Sequence, residues 1–341
     1  MARKDTALER PVVLDVRGLR TEFGPTDRPL VAVDDVSFTV REGEILGLVG
    51  ESGSGKSITL RSILGIVQPR GRVRGNILWK GRDLAALDEA SLRAVRGREI
   101  AMIFQEPMSS LNPLLTVGLQ IEENLVAHTD LDARARKARA VELLDMVGIP
   151  AARGRLGDFP HEFSGGMRQR VMIAIALASN PRLLLADEPT TALDVTIQDQ
   201  ILRLIQQLAE ELGMAMILVT HDMAVVAETC DRVAVMYGGR LCETGETGAV
   251  IGHARHPYTL GLLRSIPRDV PPRTPLYSIP GAPPSLAAMP AGCAFTARCP
   301  VAGSECRDVR PNLAALSGGG LAACHRLPEA AAFFSLHEAA Q

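Results

Sequence analysis

The run Gly50-Glu51-Ser52-Gly53-Ser54-Gly55-Lys56-Ser57 limits the folds open to this chain more than any other stretch. The apolar segment Ile45 to Val49 leads into it as a strand, and the helical pattern Ile58 to Leu64 leads out. Glycines let the backbone wrap phosphates closely, and the helix that follows turns its N–H groups and positive dipole end toward them. Lys56 would neutralise the β- and γ-phosphates of a nucleotide, and the Ser57 hydroxyl would ligate Mg²⁺. A ligand-free glycine turn would not carry this flanking structure. Further strand-like stretches occur at Val12 to Val16, Phe38 to Val40, Ile77 to Trp79, Ile100 to Phe104, Arg182 to Ala186 and Ala215 to Thr220, several of them separated by helical patterns. The expected fold is α/β, with a largely parallel core sheet and antiparallel strands near the N-terminal end.

Between Leu111 and about Phe159 the strand signal disappears, and Leu143, Leu144, Met146 and Val147 fit one helix face, so an inserted helical subdomain is expected at about 107–178. After Gly238-Gly239 comes a short strand, and from His253 onward the chain is rich in proline, including Pro271-Pro272, Pro275 and Pro283-Pro284. The expected division is one nucleotide-binding domain at 11–252 and an appended segment at 253–341, with no internal repeat. No apolar run approaches the roughly 20 residues needed to cross a bilayer, and Met1 to Arg10 lacks an apolar export core, so the cytosol is the expected compartment. A formal net charge of -2 offers no global field for nucleic acid, and the arginines of Arg134 to Arg139 alternate with alanine as on a solvated helix face.

A second phosphate reader lies downstream. Phe163 to Arg170, FSGGMRQR, places a Ser164-Gly165-Gly166 turn at the start of a helix, where bare backbone N–H groups suit a phosphate. Since the chain already has its own phosphate loop, this turn caps a nucleotide held by another subunit. The apolar run Leu183 to Ala186 then ends in Asp187, placed to hold the Mg²⁺ shell, and Glu188, placed to polarise the attacking water.

With these motifs in this order, the chain resembles the ATP-binding subunits of ABC (ATP-binding cassette) transporters over roughly Val12 to Gly252. The resemblance implies further roles. Gln105 matches the Q-loop glutamine, in contact with Mg²⁺ or water and sensing the membrane subunits, and His221 matches the switch histidine at the γ-phosphate. Thr191-Ala192-Leu193-Asp194 resembles the D-loop that links two sites across a dimer, and Phe23 sits where the family stacks an aromatic ring on adenine. Met167 replaces the usual glutamine of the signature, but Ser164, Gly165 and Gly166 keep the backbone donors, so the signature is expected to work.

His256-Pro257-Tyr258-Thr259, followed by Leu260, Leu262 and Leu263, resembles the C-terminal motif of the oligopeptide and dipeptide importer ATPases. Read from the residues alone, it is a turn followed by a core-packed helix. With FSGGMRQR, it resembles the D-type of two unlike ATPases. Implied partners are a second homologous ATPase, two transmembrane permease subunits and, indirectly, an extracytoplasmic substrate-binding protein, with no nucleic acid. The implied place is the cytoplasmic face of the membrane, peripherally attached. A soluble ABC ATPase acting on nucleic acid or ribosomes is the alternative; such proteins carry tandem cassettes or a long coiled coil, and neither occurs here. Cargo stays open among dipeptides, longer peptides, nickel chelates and glutathione. Cys293, Cys299, Cys306 and Cys324 lie among prolines and small residues that build little core. Their wide spacing favours a [4Fe–4S] cluster over zinc, with uncoordinated thiols a third reading, and related importer ATPases carry such a cluster. Cys230 and Cys242 read as ordinary buried thiols.

Overall fold

The computed structural model describes residues 10–105, 110–191, 193–266, 277–317 and 319–338. The proline pairs expected at Pro271-Pro272 and Pro275, the D-loop residue Ala192 and the first residues of the helical stretch, 107–109, lie outside them. Two compact units are present. One is drawn from Met1–Thr39, Ile45–Ala85 and Thr220–Gln341, the other from Val40–Glu44 and Ala86–Val219.

The first unit begins with β1 (Val12–Phe23) and β2 (Leu30–Arg41), continues through β3 (Ile45–Val49) and helix α1 (Lys56–Ile63), and adds β4 (Gly71–Trp79) and β5 (Arg82–Asp83). An outer sheet has the order β2-β1-β4-β5, with β1 and β4 antiparallel. Strand β1 runs on past the expected Val16 because alternate residues keep burying, Leu19 and Thr21 among them, across an irregularity between Arg17 and Arg20. Strand β3 is buried at all five positions, as befits a parallel strand covered on both faces.

The second unit supplies β6 (Ile100–Ile103), then helices α2 (Val117–His128), α3 (Ala133–Met146), α4 (Ala152–Arg155) and α5 (Gly165–Leu177), then β7 (Leu183–Asp187), α6 (Val195–Glu211) and β8 (Ala215–Thr220). Strands β6, β7 and β8 are parallel, with β7 in the middle and buried at every position. Among the described residues no strand occurs between β6 and β7. Asp132 caps α3 by accepting from the Ala135 N–H, and Ala140, Leu143 and Leu144 form its buried face while Arg134 stays exposed. Helix α6 buries Ile201, Ile205, Leu208 and Ala209, a stripe at helical spacing.

The chain then returns to the first unit with α7 (Met223–Thr229), β9 (Arg232–Tyr237) and β10 (Arg240–Glu246), followed by α8 (Thr247–His253) and α9 (Pro257–Arg264). Strand β9, which the sequence reading passed over, lies parallel to β3 and makes a hairpin with β10. Gly238 and Gly239 turn that hairpin with φ of 55 and 78, a two-residue loop that needs the left-handed region twice. The late segment is built onto this unit. Short strands β11 (Ala314–Ala315) and β12 (Leu321–Ala322) extend the sheet beyond β10, and α10 (Leu327–Glu338) packs on α9. Arg310 adds an ionic tie at 3.2 Å to Asp34 of β2, which also takes Arg20 of β1 and Arg240 of β10.

Candidate functional site

In the first unit the phosphate loop joins β3 to α1. Its glycines take conformations that only glycine adopts freely: φ is 157 at Gly50, 77 at Gly53 and 102 at Gly55. Gly55 is the N-cap of α1 and contributes no side-chain cap, which leaves the helix entrance to an anion. Lys56 is 4% exposed and folds its ammonium back over the loop, donating to the Gly50 carbonyl at 2.7 Å and the Glu51 carbonyl at 3.0 Å. Ser54 is buried, while Ser52 and Gly53 stand open to solvent.

Glu51 differs in kind from its neighbours. Its N–H donates to the Tyr258 hydroxyl at 2.8 Å, and its carboxylate receives both Nη atoms of Arg298, at 2.6 and 3.0 Å. Arg298 is also fixed behind, donating to the Pro280 and Ile279 carbonyls at 2.9 and 3.2 Å and to the Tyr237 hydroxyl at 3.3 Å. Tyr237 meets Tyr258 and Phe295 edge-on, with ring centroids 4.6 and 5.1 Å apart. Tyr258 is wholly buried as the second residue of α9, whose N-cap is His256 and whose first residue is Pro257.

Phe23 closes β1 opposite Gly71 and is half-buried; a Cβ at Gly71 would lie 2.9 Å from its ring, so glycine permits this seat. His221 is exposed in the short link from β8 to α7, a link shaped by the Asp222 carboxylate accepting from the Ala224 N–H and the Thr220 hydroxyl accepting from the Asp222 N–H.

In the second unit Asp187 ends β7 with no exposure, and Glu188 follows at φ 45, a left-handed backbone uncommon outside glycine. One Glu188 carboxylate oxygen accepts from the Thr191 hydroxyl at 2.9 Å and, at a longer 3.4 Å, from the Gln105 amide. The structure thus brings Gln105, Glu188 and Thr191 of the D-loop together. Ser164 caps α5 by accepting from the Met167 N–H at 3.3 Å, so Met167 serves the turn through its backbone. Ser164 and Gly165 are exposed, and a Cβ at Gly166 would stand 2.9 Å from Ile197 of α6, just beyond Asp194.

The four late cysteines wall one cavity of about 10 Å³, shared with His256, Thr296 and Arg326. The Cys293 N–H and the Thr296 hydroxyl both donate to the Cys306 carbonyl at 2.8 Å, which sets the path of this loop. Burial, reinforced by the neighbouring sulfurs, pushes Cys299 up to about 11 and Cys324 up to about 12, and burial also raises Cys293. Burial thus favours the protonated thiol at Cys293, Cys299 and Cys324, and among the described residues no group of three or more His, Cys, Asp or Glu is arranged to hold a metal ion. Four thiols on one cavity do fit a cluster in donor kind. Cys230 and Cys242 are buried, and burial raises both.

Sequence reasoning did not find Tyr258 and Arg298 as neighbours of the phosphate loop. Tyr258 was legible only as part of HPYT, and Arg298 only as the residue before Cys299; nothing local to either names Glu51.

Comparison with known proteins places these features. A family model described as "ABC transporter" matches residues 33–191, and one described as "Oligopeptide/dipeptide transporter, C-terminal region" matches 242–306. The oligopeptide transport ATP-binding protein OppD of Salmonella typhimurium is 46% identical over 330 residues, covering 96% of this chain and 98% of its own length. The dipeptide transport ATP-binding protein DppD of Escherichia coli is 46% identical over 314 residues, covering 92% and 96% respectively. Among solved structures, the dimeric post-hydrolysis ATP-binding cassette MJ0796 bound to ADP and Pi superposes with a TM-score of 0.62 at 30% identity, over 69% of this chain and 98% of that one.

Proposed function

The chain belongs to the ATP-binding subunits of the ABC peptide importers, and from that membership we propose how its residues divide the work. It is an ATPase coupled to peptide transport. Lys56 and the loop Gly50 to Ser57 hold the phosphates of ATP, Phe23 stacks on the adenine, and Ser57, Gln105 and Asp187 supply the hard oxygen ligands that Mg²⁺ prefers. Glu188 polarises the attacking water, with His221 at the γ-phosphate. The observation that carries hydrolysis is Glu188 itself: its carboxylate sits beyond the last buried residue of β7, in a strained backbone, gripped by Thr191 and Gln105. Ser164, Gly165, Gly166 and Asp194 serve the nucleotide of a second, unlike ATPase, this chain being the D-type of the pair.

The proposed division is an ATP-binding domain at 11–252, its helical part at about 107–178, and the extension at 253–341. Among the described residues no helix is long and apolar enough to cross a membrane. From the family membership, the proposed place is the cytoplasmic face, bound to two permease subunits that an extracytoplasmic binding protein serves. Changing Glu188→Gln in the assembled transporter is expected to keep ATP binding and to lower turnover by on the order of a hundredfold or more. Unchanged hydrolysis would remove Glu188 as the base. Copurification with ribosomes instead of permeases would favour the alternative soluble ATPase.

Cys293, Cys299, Cys306 and Cys324 are proposed to hold a [4Fe–4S] cluster. Their convergence on one cavity supports this. Binding a metal cluster requires thiolates, so it would reverse the upward shifts that burial imposes. The cluster would tether the extension and takes no part in hydrolysis. Anaerobic purification is expected to give brown protein with iron and sulfide in equal amounts; colourless, iron-free and fully active protein would rule out a required cluster.

A further inference from the structure

We infer that Tyr258 and Arg298 are positioning residues for ATP, acting through Glu51 to hold the phosphate loop in its binding shape. This rests on the reading of Gly50 to Ser57 as the ATP phosphate site. The loop's shape depends on left-handed glycines, which give a chain little stiffness of its own. Stiffness has to come from outside, and Glu51 takes the side-chain hold, beside the Gly239 N–H that donates to the Ser54 carbonyl at 3.0 Å. Tyr258 is fully buried and fixes the Glu51 N–H, while the Arg298 fork fixes its carboxylate at two points.

The rest of the guanidinium is also occupied, with Nε and Nη2 on the carbonyls of Pro280 and Ile279 and Nη1 also on Tyr237. A buried arginine held on this many sides cannot follow Glu51 if the loop drifts, so the pair acts as a fixed stay. Both side chains are engaged by Glu51 and by the aromatic packing of Tyr237, Tyr258 and Phe295, so the role assigned to them is an indirect one. The stay is also tied to the cysteine loop. Arg298 directly precedes Cys299, and its own N–H donates to the Phe295 carbonyl at 2.9 Å, inside the turn that runs from Cys293.

The other ties on the loop act differently, the Gly239 N–H on the Ser54 carbonyl being a single backbone bond beyond Glu51. Lys56 binds the Gly50 and Glu51 carbonyls, but it is expected to be recruited by phosphate, so its hold on those carbonyls is released when ATP binds. The stay on Glu51 is not consumed by ligand. It lowers the ordering cost of binding in advance, which raises affinity without adding a contact to the nucleotide.

The test measures MgATP affinity of the full-length chain by titration calorimetry, with thermal unfolding alongside. Arg298→Lys keeps the cation but loses the fork, and Arg298→Met removes the charge at similar length. Each is expected to weaken ATP on the order of tenfold. In a Glu51→Gln background the same Arg298 changes are expected to cost less than about threefold more, because the partner they act through is already altered. Tyr258→Phe removes only the acceptor for the Glu51 N–H and is expected to weaken ATP by a smaller factor with unfolding little changed. If the Arg298 effects are equally large in both backgrounds, arginine is stabilising the extension at large and the inference is overturned. If Arg298→Lys and Arg298→Met leave affinity unchanged while Lys56→Ala abolishes it, the stay alone is wrong. If Lys56→Ala leaves affinity unchanged, the loop is not the phosphate site and the underlying reading falls with it.

Discussion

Gly55 shows how much a single position can be asked to do. At φ 102 it is strained for any L side chain, and a Cβ there would lie 2.7 Å from the Ala32 carbonyl oxygen and 3.3 Å from Gly239 Cα, both backbone atoms that cannot step aside. Gly55→Ala is therefore expected to cost about 1–3 kcal/mol of stability and to weaken ATP binding more than tenfold, since the same position opens α1 toward the phosphates. Denaturant unfolding and nucleotide titration on one preparation check both, and an alanine variant with ordinary affinity would sink the account. Residues of this sort were legible in the sequence because their meaning is local. Lys56 and Ser57 open the helix that follows one strand, and Asp187 and Glu188 stand at the end of another, so the motif carries its own context. The left-handed backbone of Glu188 was not legible, since no residue type announces it.

At the scale of elements, Asp34 on β2 gathers Arg20 from β1, Arg240 from β10 and Arg310 from the late segment, and so joins the outer sheet to the inner one. Burial alone would raise the Asp34 carboxyl; hydrogen bonding and charge from Arg240, then Arg310 and Arg20, outweigh it and hold it below its usual value of 3.8. A carboxylate with a lowered folded value contributes stability above its unfolded value and loses it as pH falls through the folded one. Asp34→Asn, which removes the shared carboxylate while Arg20 keeps Glu22 and Arg310 keeps Asp35, is expected to cost about 1–3 kcal/mol at pH 7. The gap between wild type and variant should close as pH drops below about 3.8, which urea unfolding across pH can follow. A gap constant with pH would mean that packing and not charge is at stake. Elements were read from the sequence where a period or a cap spoke for them, as in α3 behind Asp132. Strand β9 was passed over because RVAVMY is a short run without alternation, buried on both faces, and gains its identity only from lying beside β3.

For the whole molecule, the late segment is the part whose placement the sequence concealed. Its motif and cysteines were visible, but the link from Tyr258 to Glu51 spans 207 residues and that from Arg298 spans 247, and pairings at such distance leave no local trace. Long-range contacts of this sort also set a sequence of events. A chain emerging from synthesis in N-to-C order carries a complete glycine loop early, yet lacks the groups that stiffen it until Arg298 has been made. Tight nucleotide binding is then among the last properties a growing chain acquires, and a chain cut short before that point is a poor consumer of ATP.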